Sequence, residues 1–153
     1  MTIAPINLTA TINAPPARCF ELFTSHIGEW WPKNQTLSKG DYKTLVMEPK
    51  VGGRWYETDQ NDQLIQWGEV SSWEPPQRVL LIWRLNTKFK YDPSLHTEVE
   101  ITFKDLGAGK TQMTLEHRNL EKLGADAEQF VASLSGGWAS HVKTVAKYIE
   151  SHN

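Results

Sequence analysis

The C-terminal part of the chain, from residue 126 to residue 151, has the pattern of one long amphipathic helix. Apolar residues recur along one stripe, and Lys143, Lys147 and Glu150 lie on the opposite face. Asp126 stands where a side-chain cap is expected. A helix of this length needs a broad apolar surface to cover its stripe, and the rest of the chain has to supply it. The stripe consists of Val131, Leu134, Trp138, Val142, Val145 and Ile149.

Two adjacent glycines, Gly136 and Gly137, interrupt this helical pattern. Each of them costs a helix about 1 kcal/mol relative to alanine. Two interpretations remain open: a kink in the helix, or the close approach of a strand or a ligand at this point.

Upstream of that helix, the pattern is one strand, one short helix, a polar loop and then a series of strands. The first strand is predicted at 8–12, and Pro15-Pro16 begins a helix that ends near Gly28. Glycines, prolines and an Asn-Asp pair separate the later strands, so consecutive antiparallel hairpins are the simplest topology. The loop covers residues 33–42, and the later strands cover residues 44–47, 54–58, 64–73, 78–85, 97–104 and 111–117.

The inner face of a curved antiparallel sheet is the surface that such a helix requires. We therefore predict an α+β fold of the helix-grip type, in which a curved antiparallel sheet wraps around the long C-terminal helix. The length of 153 residues favours a single domain over residues 1–153.

A sheet curved this far leaves a gap beneath the helix, and the tryptophan content indicates how that gap is lined. The chain holds seven tryptophans, and indole rings form large, stiff walls for apolar ligands. We predict an internal cavity that binds a small apolar or aromatic molecule. Trp67 is the least regular candidate, because it is out of phase with Leu64 and Val70 in its strand. The predicted ligand-binding residues are Trp31, Trp55, Trp67, Trp83, Ile101, Met113, His117, Trp138 and Val142.

The composition limits the kinds of molecule that the protein is expected to bind. The formal net charge is −2 with both signs interspersed, which argues against a nucleic-acid partner. Cys19 is the only cysteine, so it is predicted to be a buried thiol without a disulfide partner. No apolar run approaches the roughly 18 residues of a membrane span. No signal-peptide pattern stands at the N-terminus, so we expect a cytoplasmic protein without integral membrane association.

Catalytic and metal-binding motifs are not found in the sequence. The five histidines include no pair at metal-ligand spacing, and there is no nucleophile elbow, phosphate loop or dinucleotide fingerprint. We therefore predict no metal, no cofactor and no catalytic residue. His117 is the one polar residue of interest, because counting by twos from Met113 and Leu115 places it on the inner face. It is expected either to contact a ligand or to bond to backbone or water at the cavity rim. His141 beside the helical stripe is either its partner or a residue at the boundary of the stripe.

Several segments together resemble a known family. They include Val-Gly-Gly-Arg-Trp-Tyr-Glu at 51–57, Trp-Gly-Glu-Val at 67–70 and Trp-Glu-Pro-Pro-Gln-Arg-Val-Leu at 73–80, together with residues 30–32, 97–103, 111–117 and 137–138. In this order they resemble the SRPBCC (START-like) superfamily and, more closely, its branch named after the activator of heat-shock-protein-90 ATPase. The resemblance implies a helix-grip domain with an internal cavity. Since these motifs are mostly turn residues and core aromatics, they indicate fold rather than activity.

Three functional hypotheses follow. The first is a binding protein for a small apolar or aromatic molecule. The second is a cavity enzyme of cyclase or hydrolase type that uses His117 with a nearby acid. The third is an interaction module, either chaperone-regulator-like or a homodimer, which would need a contiguous apolar surface patch.

Overall fold

The computed structural model describes residues 2–153, which form one seven-stranded antiparallel sheet and three α-helices. The predicted helix-grip fold is confirmed, since the sheet curls around the long C-terminal helix. In chain order the elements are β1 (Ile6–Ile12), α1 (Pro16–Thr24), α2 (Ile27–Trp30), β2 (Tyr42–Met47), β3 (Arg54–Asp59), β4 (Leu64–Glu74), β5 (Arg78–Trp83), β6 (Thr97–Gly107), β7 (Lys110–Arg118) and α3 (Ala127–His152), with 3-10 turns at Lys39–Asp41 and Leu120–Leu123.

The strand order is β1-β7-β6-β5-β4-β3-β2, and every neighbouring pair is antiparallel. The predicted series of hairpins from β2 to β7 is therefore confirmed. The first strand returns to the far edge and pairs with the last, with Ile6 opposite His117 and Ile12 opposite Thr111. This arrangement places the start of the chain beside the strand that leads into α3.

A β-bulge in β4 explains the irregular phase of Trp67. Trp55 pairs with Gly68, but the next residue, Tyr56, pairs with Gln66, so Trp67 is the extra residue on its strand. The bulge turns the Trp67 ring into the core, where it is almost fully buried. Gly68 beside it is required, because a Cβ there would lie 1.8 Å from the carbonyl oxygen of Ile82.

Helix α3 runs without interruption through Gly136 and Gly137 and packs against β1, α1 and α2. Apart from the adjacent backbone of α3 itself and the neighbouring residues in the chain, no described atom lies within 4 Å of the position that a Cβ would occupy at either glycine, so close packing of a strand does not explain them. Asp126 occupies the N-cap position, but its side chain makes no capping hydrogen bond, so that part of the prediction is wrong.

The core fills the space between the inner face of the sheet and the helices. Trp55 points inward and is fully buried, while Arg54 on the same strand is exposed, as the alternation predicts. The Cys19 thiol is also fully buried, and burial raises its pKa. This confirms the predicted buried thiol.

Candidate functional site

A cavity of about 600 Å³ lies between the first half of α3, the segment after α2 and the connection from β5 to β6. Four tryptophans, one from each of four different segments, form its aromatic walls: Trp31, Trp67, Trp83 and Trp138. The Trp31 ring packs edge-to-face on two of the others, with centroids 5.3 Å from Trp67 at 79° and 5.8 Å from Trp138 at 84°. The polar residues of the lining are Asn34, Gln35, Thr36, Lys88, Lys90, Ser133 and His141.

The predicted site residues divide into two layers. The four wall tryptophans were all predicted, and the structure brings them together around the cavity. Trp55 lies one layer behind, with its ring 5.4 Å from that of Trp67 and 5.8 Å from that of Trp83. The remaining predicted residues, Ile101, Met113, His117 and Val142, are buried in the core and do not line the cavity.

Ile101 and Met113 lie away from the cavity because of the position of α1. They are on the inner faces of β6 and β7, the two strands against which α1 packs. The short helix therefore occupies the inner side of β6 and β7, where these two residues were expected to meet the ligand.

Each wall tryptophan is fixed through its indole N–H group, which donates a hydrogen bond to a buried or backbone acceptor. Such a bond holds a ring in one rotamer, so the cavity walls are set before any ligand arrives. The acceptors are the Gln35 carbonyl for Trp31 (2.9 Å), Glu57 Oε1 for Trp67 (2.8 Å), the Leu85 carbonyl for Trp83 (2.9 Å) and His117 Nδ1 for Trp138 (3.1 Å).

His117 supports the cavity wall from behind and does not lie at its rim. Since Nδ1 accepts a hydrogen bond from Trp138, Nε2 carries the proton and donates to the Thr97 hydroxyl at 2.9 Å, which in turn donates to the Trp83 carbonyl at 3.0 Å. Complete burial lowers the pKa of His117 from its ordinary value of 6.5 to about 3, so the ring is neutral near pH 7. His117 therefore stabilises Trp138 directly and Trp83 through Thr97. The predicted location of His117 at the cavity rim is wrong.

His141 does line the cavity, although the sequence analysis considered it only as a partner for His117. The residue is 6% exposed, and its ring lies against Trp31 with centroids 4.3 Å apart. Burial lowers the pKa of His141 to about 4, and Nδ1 has no hydrogen-bond partner among the described residues. Helical spacing from Leu134 and Trp138 was the signal that could have identified it, because all three share one face of α3.

Glu57 is a second functional residue that the sequence analysis missed. Its carboxylate is fully buried and accepts hydrogen bonds from Trp67 Nε1, from the backbone N–H groups of Leu37 (2.7 Å) and Ser38 (2.9 Å), and from the Ser38 hydroxyl. It therefore ties the segment that forms one lip of the cavity to the wall of the sheet. Counting by twos from Trp55 along β3 would have placed Glu57 on the inner face.

Within residues 2–153, no three histidine, cysteine, aspartate or glutamate side chains are grouped in a way that could hold a metal ion. The apolar length that a bilayer-crossing helix requires is not reached by any helix in the same range.

Two solved structures are similar to the chain in sequence as well as in fold. One is an anthrahydroquino-γ-pyrone synthase, Txn09, with 33% identity over 88% of each chain and a TM-score of 0.61. The other is CalC, a self-sacrificing resistance protein from Micromonospora echinospora, with 25% identity over 97% of this chain and 96% of its own, and a TM-score of 0.72.

A third structure, the Aha1 dimer from Colwellia psychrerythraea, is 16% identical over 97% of each chain, with a TM-score of 0.67, and so shows likeness of fold alone. No curated protein matches the chain by sequence. The family described as "Activator of Hsp90 ATPase homolog 1-like protein" matches residues 13–150. With nearly the whole chain matched and the curled sheet around α3 in place, the protein belongs to this Hsp90-ATPase-activator-like family of the SRPBCC fold.

Proposed function

We propose that this protein binds a small planar molecule, apolar or aromatic, in the cavity between the sheet and α3. The observation that carries the proposal is the set of four tryptophan walls whose N–H groups are already bonded within the protein. Rings held in this way present faces and edges to a planar ligand without losing further rotamer freedom on binding.

The size and composition of the cavity support the same function. Its volume of about 600 Å³ falls inside the range of roughly 300–1,000 Å³ that is typical of small-molecule sites. Apolar atoms form most of its lining surface, and seven polar side chains complete the lining. Among similar proteins, one is a synthase named for an anthrahydroquino-γ-pyrone. That name supports an aromatic ligand here and does not identify one.

The experiment is a titration with anthraquinone and flavone, followed through quenching of tryptophan fluorescence. Gly137 lines the cavity and Gly136 beside it faces the exterior, so Gly137→Leu and Gly136→Leu form a matched pair on one helix. We expect saturable quenching in the wild type and in Gly136→Leu, and a loss of at least tenfold in affinity in Gly137→Leu. Equal binding by the two variants would contradict the proposal, as would the absence of quenching by any planar compound.

The geometry gives less support to the enzyme hypothesis. That hypothesis needs His117 in the cavity beside an acid, whereas its ring nitrogens bond to Trp138 and Thr97 behind the wall. The chemistry of a general base is not available to a ring in this position.

The interaction hypothesis needs a contiguous apolar patch. The four large hydrophobic residues that are most exposed lie on four different turns or strand ends. Scattered residues of this kind are normal on a protein surface. They are Val51, Leu64, Phe89 and Leu106.

A further inference from the structure

We infer that the cavity selects aromatic acids that also carry a hydroxyl or carbonyl oxygen. The oxygen at the buried end forms a hydrogen bond with His141, and the acidic group at the mouth pairs with Lys88 and Lys90. This inference rests on the proposed function, because it names the chemical class of the ligand for the same cavity.

The buried end of the cavity offers one hydrogen-bonding group that the protein leaves unused. His141 is more than nine-tenths buried, lines the cavity and makes no hydrogen bond to any described residue. A neutral imidazole has one donor and one acceptor nitrogen, and leaving such groups buried without a partner is costly. Nδ1 is sealed from solvent, whereas Nε2 is not, so a ligand oxygen that bonds to Nε2 would satisfy that nitrogen and a purely apolar ligand would not.

The mouth of the cavity is positively charged. Among the described residues, Lys88 and Lys90 are the only charged ones in its lining, and neither forms an ion pair with another of them. The other polar lining groups are amides, hydroxyls and the His141 ring, all of them neutral near pH 7. Since the whole chain has a formal net charge of −2, this local excess of positive charge runs against the overall balance. An anion at the mouth would be attracted by both lysines and repelled by no carboxylate of the lining.

The loop that carries the two lysines is held in place. The Asn86 side chain accepts hydrogen bonds from the backbone N–H groups of Lys88 (2.9 Å) and Lys90 (3.1 Å), and the Asn86 N–H donates to the Lys90 carbonyl at 2.9 Å. Phe89 between them packs on Phe130 of α3, with ring centroids 5.1 Å apart. The lysine backbones are therefore fixed beside the opening, which lowers the entropic cost of using their side chains.

The first test compares anthraquinone-2-carboxylate with the neutral anthraquinone-2-carboxamide by fluorescence titration. We expect the wild type to bind the carboxylate about fivefold more tightly, which corresponds to about 1 kcal/mol from two exposed ion pairs. The double variant Lys88→Gln/Lys90→Gln should bind both compounds equally. Lys110→Gln, an exposed lysine in the β6–β7 hairpin, is the control and should keep the wild-type preference.

The second test compares anthraquinone-2-carboxylate with anthracene-2-carboxylate, which has the same three fused rings and the same acid but no ring oxygen. We expect a preference for the quinone of about fivefold in the wild type, from one net hydrogen bond. His141→Phe keeps an aromatic ring against Trp31 but has no nitrogen, so it should bind both compounds alike.

The outcomes separate this inference from the proposed function. If anthraquinone binds and Gly137→Leu blocks it, but neither preference exists in the wild type, the inference is overturned and the proposed function stands. If the preferences exist but survive in Lys88→Gln/Lys90→Gln and in His141→Phe, the residue assignments are overturned. If none of the four compounds binds, both the inference and the proposed function fail.

Discussion

Mild acid should destabilise this protein through two buried histidines. His117 and His141 have pKa values lowered to about 3 and about 4 by burial, against 6.5 for an exposed histidine. A lowered pKa in the folded state means that the unfolded chain binds the proton more tightly. The stability present above pH 6.5 is therefore lost as the pH falls below it, and the loss continues until the folded-state pKa is reached.

The size of this loss of stability follows from the pH range over which it occurs. Between pH 6.5 and pH 5.0 each histidine lowers the free energy of unfolding by about 1.4 kcal/mol per pH unit, which amounts to about 2 kcal/mol. The two together should lower the free energy of unfolding by about 4 kcal/mol between pH 7 and pH 5. Above pH 7 neither state is protonated at these two rings, and their contribution does not change with pH.

Urea denaturation at pH 7 and pH 5, followed by tryptophan fluorescence, measures this loss. His141→Phe removes one of the two titrating rings, so its loss over the same interval should be about 2 kcal/mol smaller than that of the wild type. The comparison between the two proteins cancels the contributions of other titrating groups. An equal loss in wild type and variant would refute the assignment of His141 as a buried neutral ring.

Two further changes test the architecture of the site through the free energy of unfolding. Glu57→Ala leaves several buried donors without an acceptor, so it should lower the free energy of unfolding by about 3 kcal/mol or more and speed protease cleavage at 33–41. In the control Glu128→Ala, which changes an exposed residue, the free energy should change by no more than about 0.5 kcal/mol and the cleavage rate should stay the same. Gly68→Ala places a methyl group against the Ile82 carbonyl and should lower the free energy of unfolding by about 2 kcal/mol or more. Gly136→Ala has open space around it and should raise the free energy of unfolding by about 0.5–1 kcal/mol. Retained stability in Glu57→Ala or in Gly68→Ala would contradict the contacts described.

The fold could be predicted because its two main patterns depend on spacing alone. The apolar stripe of α3 and the alternation in β6 and β7 each follow one period over many residues, and together they allow few architectures. The phase of β4 could not be predicted in this way. A bulge inserts one residue and reverses the alternation after it, so Trp67 seemed misplaced until its pairing partners were known.

The candidate site was only half predictable for a related reason. An inward-facing residue can meet a cavity, a helix or another side chain, and alternation does not distinguish these. Met113 and Trp83 both face inward, yet one lies on a strand covered by α1 and the other lines the cavity. The position of α1 along the sheet depends on tertiary packing, which leaves no mark in the local pattern.

The hydrogen bonds of the indole groups give a physical reason why the cavity stays open. A buried tryptophan needs an acceptor for its N–H group, and an acceptor at a fixed place also fixes the ring. The four tryptophans around the cavity have such acceptors, whereas the buried N–H of Trp55 in the layer behind has no partner among the residues that the structure describes. Glu57 and His117 can therefore act without touching a ligand. Each accepts a hydrogen bond from one wall tryptophan and so keeps that ring at the edge of the cavity. A polar residue on the inner face of this fold can therefore preserve a binding cavity by anchoring the rings that would otherwise fill it.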